Sequence, residues 1–113
     1  MNSSLEKSFV SAVVYLHNCE SFLSDFLRQT YKTLEDNFET FEMIFVDDDC
    51  TDNSVGLVKE FALRQKRGTI SIVTMSFYQG LELSMNAGVD TAIGDFVFEF
   101  DSPLVDYDDA CIM

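Results

Sequence analysis

The sequence FEMIFVDDDCTDN, residues 41–53, carries the most informative fold signal of this chain. Its first part is an apolar run interrupted by one glutamate, which is typical of a short strand, and three consecutive aspartates end that strand abruptly. Adjacent carboxylates repel each other, and at ~4 Å with an effective dielectric near 20 each pair costs about 4 kcal/mol before screening. A helix N-terminus, a cation or a donor from a ligand can offset that cost. Capping of the next helix in solvent is the alternative.

Strands and helices alternate on both sides of this stretch. Apolar runs predict four strands, at residues 9–16, 41–46, 69–75 and 96–100. Apolar residues at three- and four-residue spacing predict three helices, from Ser21 to about Asn37, from Asp52 or Asn53 to about Gln65, and from Leu81 to Ala92. Gly68 and Gly94 are expected to close the second and third helices. Because such helices are crossover connections, the sequence predicts an α/β fold, a Rossmann-like and mostly parallel βαβαβαβ sheet with helices on both faces.

Polar residues follow the predicted strands at their carboxyl ends. In open sheets of this class, ligands bind outside those ends, where the strand order reverses. The residues found there are His17 and Asn18 after the first strand, Asp47, Asp48 and Asp49 after the second, and Asp101 after the fourth. We therefore expect a ligand site at this edge.

Composition excludes several classes of partner. With 20 Asp and Glu against 7 Lys and Arg, the formal net charge of −13 disfavours nucleic acid and anionic membrane surfaces and favours a cation, or a ligand that arrives with one. Three cysteines without CxxC spacing indicate neither a disulfide framework nor a zinc site, and they fit a reducing cytoplasm. No apolar run approaches the roughly 18 residues of a membrane span, so we expect no membrane segment in this chain.

Three blocks of the sequence, in order, resemble family 2 glycosyltransferases. The first is the strand-end turn from Tyr15 to Cys19, which resembles the family's Pro-x-Tyr-Asn-Glu type turn. The second runs from Val46 to Asp52, where the family has Val-Asp-Asp-Gly-Ser-Thr-Asp. The third comprises an Asn-x-Gly helix at residues 86–88, Gly-Asp-Phe-Val at 94–97 and the start of an Asp-x-Asp motif at Asp101. The resemblance covers nearly the whole chain and implies the GT-A fold.

The resemblance also implies an activity, the transfer of a sugar from a nucleotide-diphosphate sugar, often UDP-linked. It implies an inverting, hexosyltransferase-type reaction in the biosynthesis of glycans or cell-envelope polysaccharides. Tyr15, His17 and Asn18 would lie along the base and ribose, and Asp47 and Asp48 belong to the same predicted site. The resemblance assigns Asp48 as the acceptor for the ring N–H of the base, a role that suits an ionised carboxylate.

The expected cofactor is a divalent metal ion, Mg²⁺ or Mn²⁺. In the family the Asp-x-Asp carboxylates meet the ribose and a metal that neutralises the departing diphosphate. Here Asp101 provides the first carboxylate, but Pro103 occupies the second position and has no ligand oxygen on its side chain. Asp106 is the candidate for a replacement ligand, and a solvated acidic loop is the alternative.

Residues 1–113 are interpreted as the N-terminal nucleotide-sugar-binding part of a glycosyltransferase domain, with the acceptor-binding part and the general base beyond Met113. The isolated chain is then expected to transfer no sugar. The acceptor of the full protein is not identified by the sequence. A homodimer through an apolar final strand, with Phe96, Phe98 and Phe100, is a further expectation. The full protein is expected in the cytoplasm, or at the inner face of a membrane.

Two other interpretations compete with an enzyme. A catalytically inactive nucleotide-sugar-binding or interaction module would explain the degenerate metal motif. A phospho-acceptor receiver domain is also α/β, but it needs an acidic pair after the first strand and a lone Asp after the third. Leu16, His17 and Asn18 occupy the first of these ends, and the residues from Met75 to Phe77 occupy the second, which disfavours a receiver domain.

Overall fold

The computed structural model describes residues 6–18 and 20–100, without the side chains of Glu6 and Phe22. In chain order the elements are β1 (Glu6–Leu16), α1 (Glu20–Asn37), β2 (Phe38–Asp47), α2 (Ser54–Arg64), β3 (Thr69–Thr74), α3 (Leu81–Thr91) and β4 (Phe96–Phe100). The strands form one sheet in the order β3-β2-β1-β4, and each neighbouring pair is parallel. The predicted α/β fold is confirmed.

Helices cover both faces of this sheet. The larger of two apolar clusters joins α1 and α2 to one side of β1 and β2, and the smaller joins α3 to the other side of the same strands. The sheet grows from β1 through β2 to β3 and then returns past β1 to β4. Since crossovers between parallel strands are right-handed, the reversal of direction moves the connecting helix to the opposite face. The carboxyl ends of β1 and β4 are consequently the switch point of the sheet.

The two central strands begin earlier than their apolar runs predict. β1 starts at Glu6 rather than at Phe9, and β2 starts at Phe38 rather than at Phe41. Thr40 pairs with Phe9 across the two strands, and the register shifts between Glu6 and Phe9. Parallel pairing uses backbone groups, so it extends beyond the residues whose side chains are buried.

Two glycines of the third sequence block allow close packing rather than a turn. A Cβ at Gly88 would lie 2.5 Å from Val13 Cγ1 and 2.6 Å from Val46 Cγ2, so only glycine lets α3 approach the sheet this closely. Gly94 does not close α3 as predicted, because the helix ends at Thr91 with Ala92 at its C-cap. A Cβ at Gly94 would instead lie 2.6 Å from the Ser11 hydroxyl.

A polar clamp at the amino end of the sheet fixes the start of β4. The Asp95 amide donates to the Phe9 carbonyl at 2.6 Å, and the Phe9 amide donates back to Asp95 Oδ2 at 3.0 Å. Below them, the Ser11 hydroxyl accepts the Gly94 amide and donates to the buried Glu42 carboxylate at 2.6 Å. The Glu42 carboxylate also accepts the amide of Ile93. The Gly-Asp pair of the third block therefore holds the start of β4 beside β1.

The final strand differs from its predicted role as an apolar docking face. Phe98 and Phe100 pack against the larger cluster, with ring centroids 6.3 Å from Phe38 and 5.3 Å from Phe26 respectively. They face α1 because alternate residues of a strand share one side of the sheet. Only Phe96 of the three is largely exposed, at 57%. The homodimer itself stays a prediction.

Arg67 ties the end of α1 to the loop before β3. Its guanidinium donates to the backbone carbonyls of Glu35, Phe38 and Glu39 at 3.1, 2.8 and 3.1 Å. The same group lies 5.6 Å from the centre of the Phe41 ring. Helix carbonyls at a C-terminus lack partners within the helix, and the planar guanidinium supplies several donors at once. Gly68 does not close α2, which ends at Arg64. Its φ is +74°, and a Cβ there would lie 2.6 Å from the Phe41 ring, so this position requires glycine.

We predict that Arg67→Ala lowers the free energy of unfolding by about 2 kcal/mol, because three carbonyls lose a charged donor. Chemical denaturation followed by circular dichroism measures the change. Lys66→Ala is the matched control, since Lys66 is exposed and adjacent, and it should change stability by less than about 0.5 kcal/mol. Equal effects of the two substitutions would show that the Arg67 contacts do not hold the helix end.

Candidate functional site

Three loops meet at the carboxyl edge of the sheet. The Asp48 amide donates to the Leu16 carbonyl at 3.0 Å, and the Met75 amide donates to the Asp47 carbonyl at 2.9 Å. The loops after β1, β2 and β3 therefore start at one level. This edge carries Tyr15, His17, Asn18, Asp47 and Asp48, as the topology predicts, whereas Asp101 lies outside the described residues.

Asp48 is the centre of this edge, and its side chain is fully buried. Oδ2 accepts the Tyr15 hydroxyl at 2.7 Å and the Gly80 amide at 2.9 Å, while Oδ1 accepts the Gln79 amide at 2.7 Å. One carboxylate thus joins the end of β1, the end of β2 and the loop that leads into α3. A carboxylate offers about four acceptor positions, so three of them are used by these donors.

The surroundings of Asp48 favour its ionised form. Burial by itself would raise the pKa of this carboxyl, but the Gln79 amide, the Tyr15 hydroxyl and the Gly80 amide outweigh burial and hold the pKa below its ordinary value. The buried Ser84 hydroxyl also lies near enough to lower it, although within the described residues that hydroxyl makes no hydrogen bond of ordinary geometry. Burial and the adjacent carboxylate raise the pKa of Tyr15, so its hydroxyl stays a donor.

The three consecutive aspartates lie in different environments. Asp47 Oδ1 accepts the Cys50 amide at 3.0 Å, and its side chain is nearly buried. Asp49 turns into solvent with φ of +60°, at the position where the family motif has glycine. Aspartate tolerates this left-handed conformation better than most residues. The repulsion between the three carboxylates is therefore offset in two ways. Protein donors bind the first two, and the third is open to solvent.

His17 lies beside this cluster on the exposed side. Its Nδ1 is 2.7 Å from the Asp48 carbonyl oxygen, and because that oxygen can only accept, Nδ1 carries the proton. The ring of Tyr78 packs against the imidazole, with centroids 4.9 Å apart and planes at 55°. Tyr78, Gln79 and Gly80 were not among the residues predicted for this site. The signal available was a glycine directly before a helix, and Gly80 does adopt φ of +91°.

Asn18 fastens the first loop to the second. Its Oδ1 accepts the amides of Thr51 and Asp52 at 2.7 and 3.3 Å. A reciprocal pair lies next to it, since the Glu20 amide donates to Asp52 and the Asn53 amide donates to Glu20. Asp52 also accepts both the amide and the hydroxyl of Ser54, so it caps α2 as one of the two predicted candidates, whereas Asn53 makes no side-chain capping bond. Asn18 is thus already engaged as an acceptor within the protein.

The predicted metal ligands cannot be placed, because Asp101 and Asp106 lie outside the described residues. In residues 6–18 and 20–100, no three His, Cys, Asp or Glu side chains are grouped so that they could hold a metal ion. Asp47 and Asp48 do not fit such a role, since their oxygens accept amide and hydroxyl donors. The metal requirement stays a prediction. None of the described helices is both long and apolar enough to cross a membrane.

The sequence is similar to known glycosyltransferases of one family. The model of glycosyl transferase family 2 matches residues 11–112. A protein of Proteus mirabilis (strain HI4320), named undecaprenyl-phosphate 4-deoxy-4-formamido-L-arabinose transferase, is 33% identical over 95 residues, which are 84% of this chain and 29% of the relative. A protein of the same name from Edwardsiella ictaluri (strain 93-146) is 28% identical over 96 residues, 85% of this chain and 29% of the relative. The uncharacterised glycosyltransferase YkcC of Bacillus subtilis (strain 168) is 27% identical over 96 residues, with the same shares covered.

A parallel α/β sheet with a polar edge at its switch point defines a Rossmann-like class of fold. The chain belongs to glycosyltransferase family 2, because the family model covers nearly its whole length. Its sheet and helices are those of a truncated GT-A fold. The chain spans 29% of the length of these curated relatives.

We predict that Asp48→Asn lowers the free energy of unfolding by about 3 kcal/mol at neutral pH, since an amide cannot accept all three donors and a buried donor becomes unpaired. The lowered pKa gives the sign of the pH dependence. The carboxylate stabilises the fold fully above its ordinary pKa of 3.8, and this contribution is lost as pH falls through the lower folded-state value. Below about pH 4 the difference between parent and variant should therefore shrink.

Asp49→Asn is the matched control for this measurement. It makes the same chemical change at an exposed neighbour, and asparagine tolerates the left-handed backbone equally well. Urea denaturation of both variants between neutral and acidic pH compares them. A loss in Asp49→Asn as large as that in Asp48→Asn would contradict the special role of the buried carboxylate.

Proposed function

We propose that this chain is the donor-binding part of a glycosyltransferase that transfers a sugar from a UDP-linked nucleotide sugar, with inversion, during cell-envelope glycan biosynthesis. The observation that supports it best is the Asp48 carboxylate, which holds three loops together beside the switch point of the sheet. Sites at such switch points accept nucleotides. Membership of the family supports the transferase class.

The described residues would bind and orient the donor rather than perform the transfer. Tyr15 and Asp48 form the base of the site, and His17 stands at its exposed side. A hydrogen bond from the base N–H to Asp48 would use the remaining acceptor position on Oδ1, and the buried carboxylate would have to become accessible to the base for it to form. In this proposal Asn18 and Asp47 act chiefly by fixing the loop conformations.

The acceptor is proposed from the relatives. Two of them are named as transferases to undecaprenyl phosphate, so we propose a polyprenyl phosphate acceptor at the inner face of the membrane for the full-length protein. The general base and the acceptor site would lie in the part of the family's length that this chain does not span. The chain alone is accordingly proposed to transfer no sugar.

Binding of UDP to the chain tests the proposal directly. Isothermal titration calorimetry with UDP should give saturable binding, and inorganic pyrophosphate should bind more weakly because it lacks the base and ribose. The order of affinities matters, since a chain that binds any polyanion equally would have no nucleotide site. Absence of UDP binding at millimolar concentration, with and without Mn²⁺, would contradict the proposed function.

A second candidate function is a catalytically inactive nucleotide-sugar-binding module. Pro103 supports it, because proline replaces the second carboxylate of the Asp-x-Asp motif and lowers the expected ligand count by one. The two candidates differ in how strongly a divalent cation supports donor binding. Both keep the nucleotide site.

We predict that Pro103→Asp increases the enhancement of UDP binding by Mn²⁺ about tenfold, which corresponds to about 1.4 kcal/mol. Calorimetric titrations with and without Mn²⁺ give the enhancement for each variant. Ser102→Asp adds the same charge one residue earlier and should change the enhancement much less. If the parent already shows a tenfold enhancement, another carboxylate such as Asp106 supplies the missing oxygen and the module interpretation loses its support.

A further inference from the structure

Aromatic side chains at the carboxyl edge are unexpectedly exposed. Tyr78 is 55% exposed, and its neighbour Phe77 is 66% exposed, although both follow directly from a strand of the sheet. Tyr78 lies against His17, which is also exposed. Exposed rings beside a polar cluster are typical of binding surfaces, because large apolar groups gain little from contact with water alone.

Asp48 holds both the ring of His17 and the backbone next to Tyr78 in place. The Asp48 carbonyl accepts the Nδ1 proton of His17 at 2.7 Å, which fixes the orientation of the imidazole. The Asp48 carboxylate accepts the amides of Gln79 and Gly80, which fixes the backbone on the C-terminal side of Tyr78. A ring held in this way loses little conformational freedom when a ligand packs on it, so its contacts contribute more fully to affinity.

Tyr15 cannot provide the same surface. Its hydroxyl is committed to Asp48 at 2.7 Å, and its ring packs against the smaller apolar cluster under α3. The Asp48 carboxylate is fully buried and already has three donors. The groups at this edge that remain open to a planar ligand are the rings of His17 and Tyr78.

We propose that Tyr78, supported by His17, forms an aromatic wall on which the nucleobase of the donor packs, and that Tyr78 thereby contributes to donor affinity. This inference rests on the proposed function. Every nucleobase has a π-face that can pack on an aromatic ring, so the wall supplies affinity for the base, and the polar groups around it supply discrimination. The resemblance between sequence blocks did not include Tyr78, which lies between the second and third blocks.

Titrations of UDP into three variants of the full chain test the wall. Tyr78→Ala should weaken UDP binding about tenfold, the scale of one lost base–aromatic contact. Tyr78→Phe should bind within about twofold of the parent, because the ring remains. Phe77→Ala is the matched control, an exposed aromatic one residue away without a ring contact to His17 among those described, and it should leave UDP affinity unchanged.

Two further measurements identify which part of the ligand meets the wall. Saturation-transfer NMR should show stronger transfer to the uracil protons than to the ribose protons in the parent, and Tyr78→Ala should abolish that preference. Inorganic pyrophosphate should bind the parent and Tyr78→Ala equally, because it has no base.

Tyr78→Leu repeats the test with an apolar side chain that lacks a ring, and near-ultraviolet circular dichroism confirms that each variant is folded.

The outcomes separate this inference from the function on which it rests. If the parent binds UDP and Tyr78→Ala binds it as tightly as Phe77→Ala does, the proposed packing of the base on Tyr78 is wrong and the donor-binding function stands. If the parent binds no UDP, the donor-binding function fails and the wall fails with it. Equal loss in Tyr78→Ala and Tyr78→Phe would also overturn the wall, because it would assign the effect to the hydroxyl.

Discussion

The structure of the carboxyl edge depends on the hydrogen bonding of one buried carboxylate. An ionised group without water is tolerated only when donors replace its hydration, and Asp48 obtains them from the end of β1 and from two successive amides before α3. The donors belong to two parts of the chain that are distant from Asp48 in sequence, so satisfying the charge also fixes the positions of those parts relative to β2. The loop geometry at the switch point is therefore a consequence of the cost of burying Asp48.

The three sequence blocks combine residues of the carboxyl edge with residues that pack and align the sheet. Gly88 and Gly94 allow close approach of α3 and of the loop before β4, and Asp95 bonds to the backbone of Phe9. These residues lie away from the carboxyl edge, yet they fix the sheet on which the site is built. A match to such blocks therefore indicates the fold more directly than it indicates any particular ligand, and the donor has to be established from the groups at the edge itself.

The sequence predicted the fold well because its signals are local. Apolar runs and helical spacing gave every strand and helix, and the topology rule placed Tyr15, His17 and Asp48 at one edge. Strand starts were missed where polar residues join the pairing through backbone groups. The two amide partners of Asp48 were missed for a similar reason, since any residue except proline carries an amide and no side-chain pattern shows where that amide points.

The distribution of basic residues sets a condition on any diphosphate bound at this edge. The Lys and Arg residues after β1 lie on α1, on α2 and in the loop behind α2, and none follows a strand at its carboxyl end. Two or more phosphate charges placed near Asp47 and Asp49 would be repelled unless other groups neutralise them. The amides at the start of α3 would supply part of this neutralisation, although two of the nearby amides are already bonded to Asp48. The rest of the neutralisation would have to come from a bound cation or from basic groups other than these residues, so the binding of a diphosphate at this edge would depend on further components.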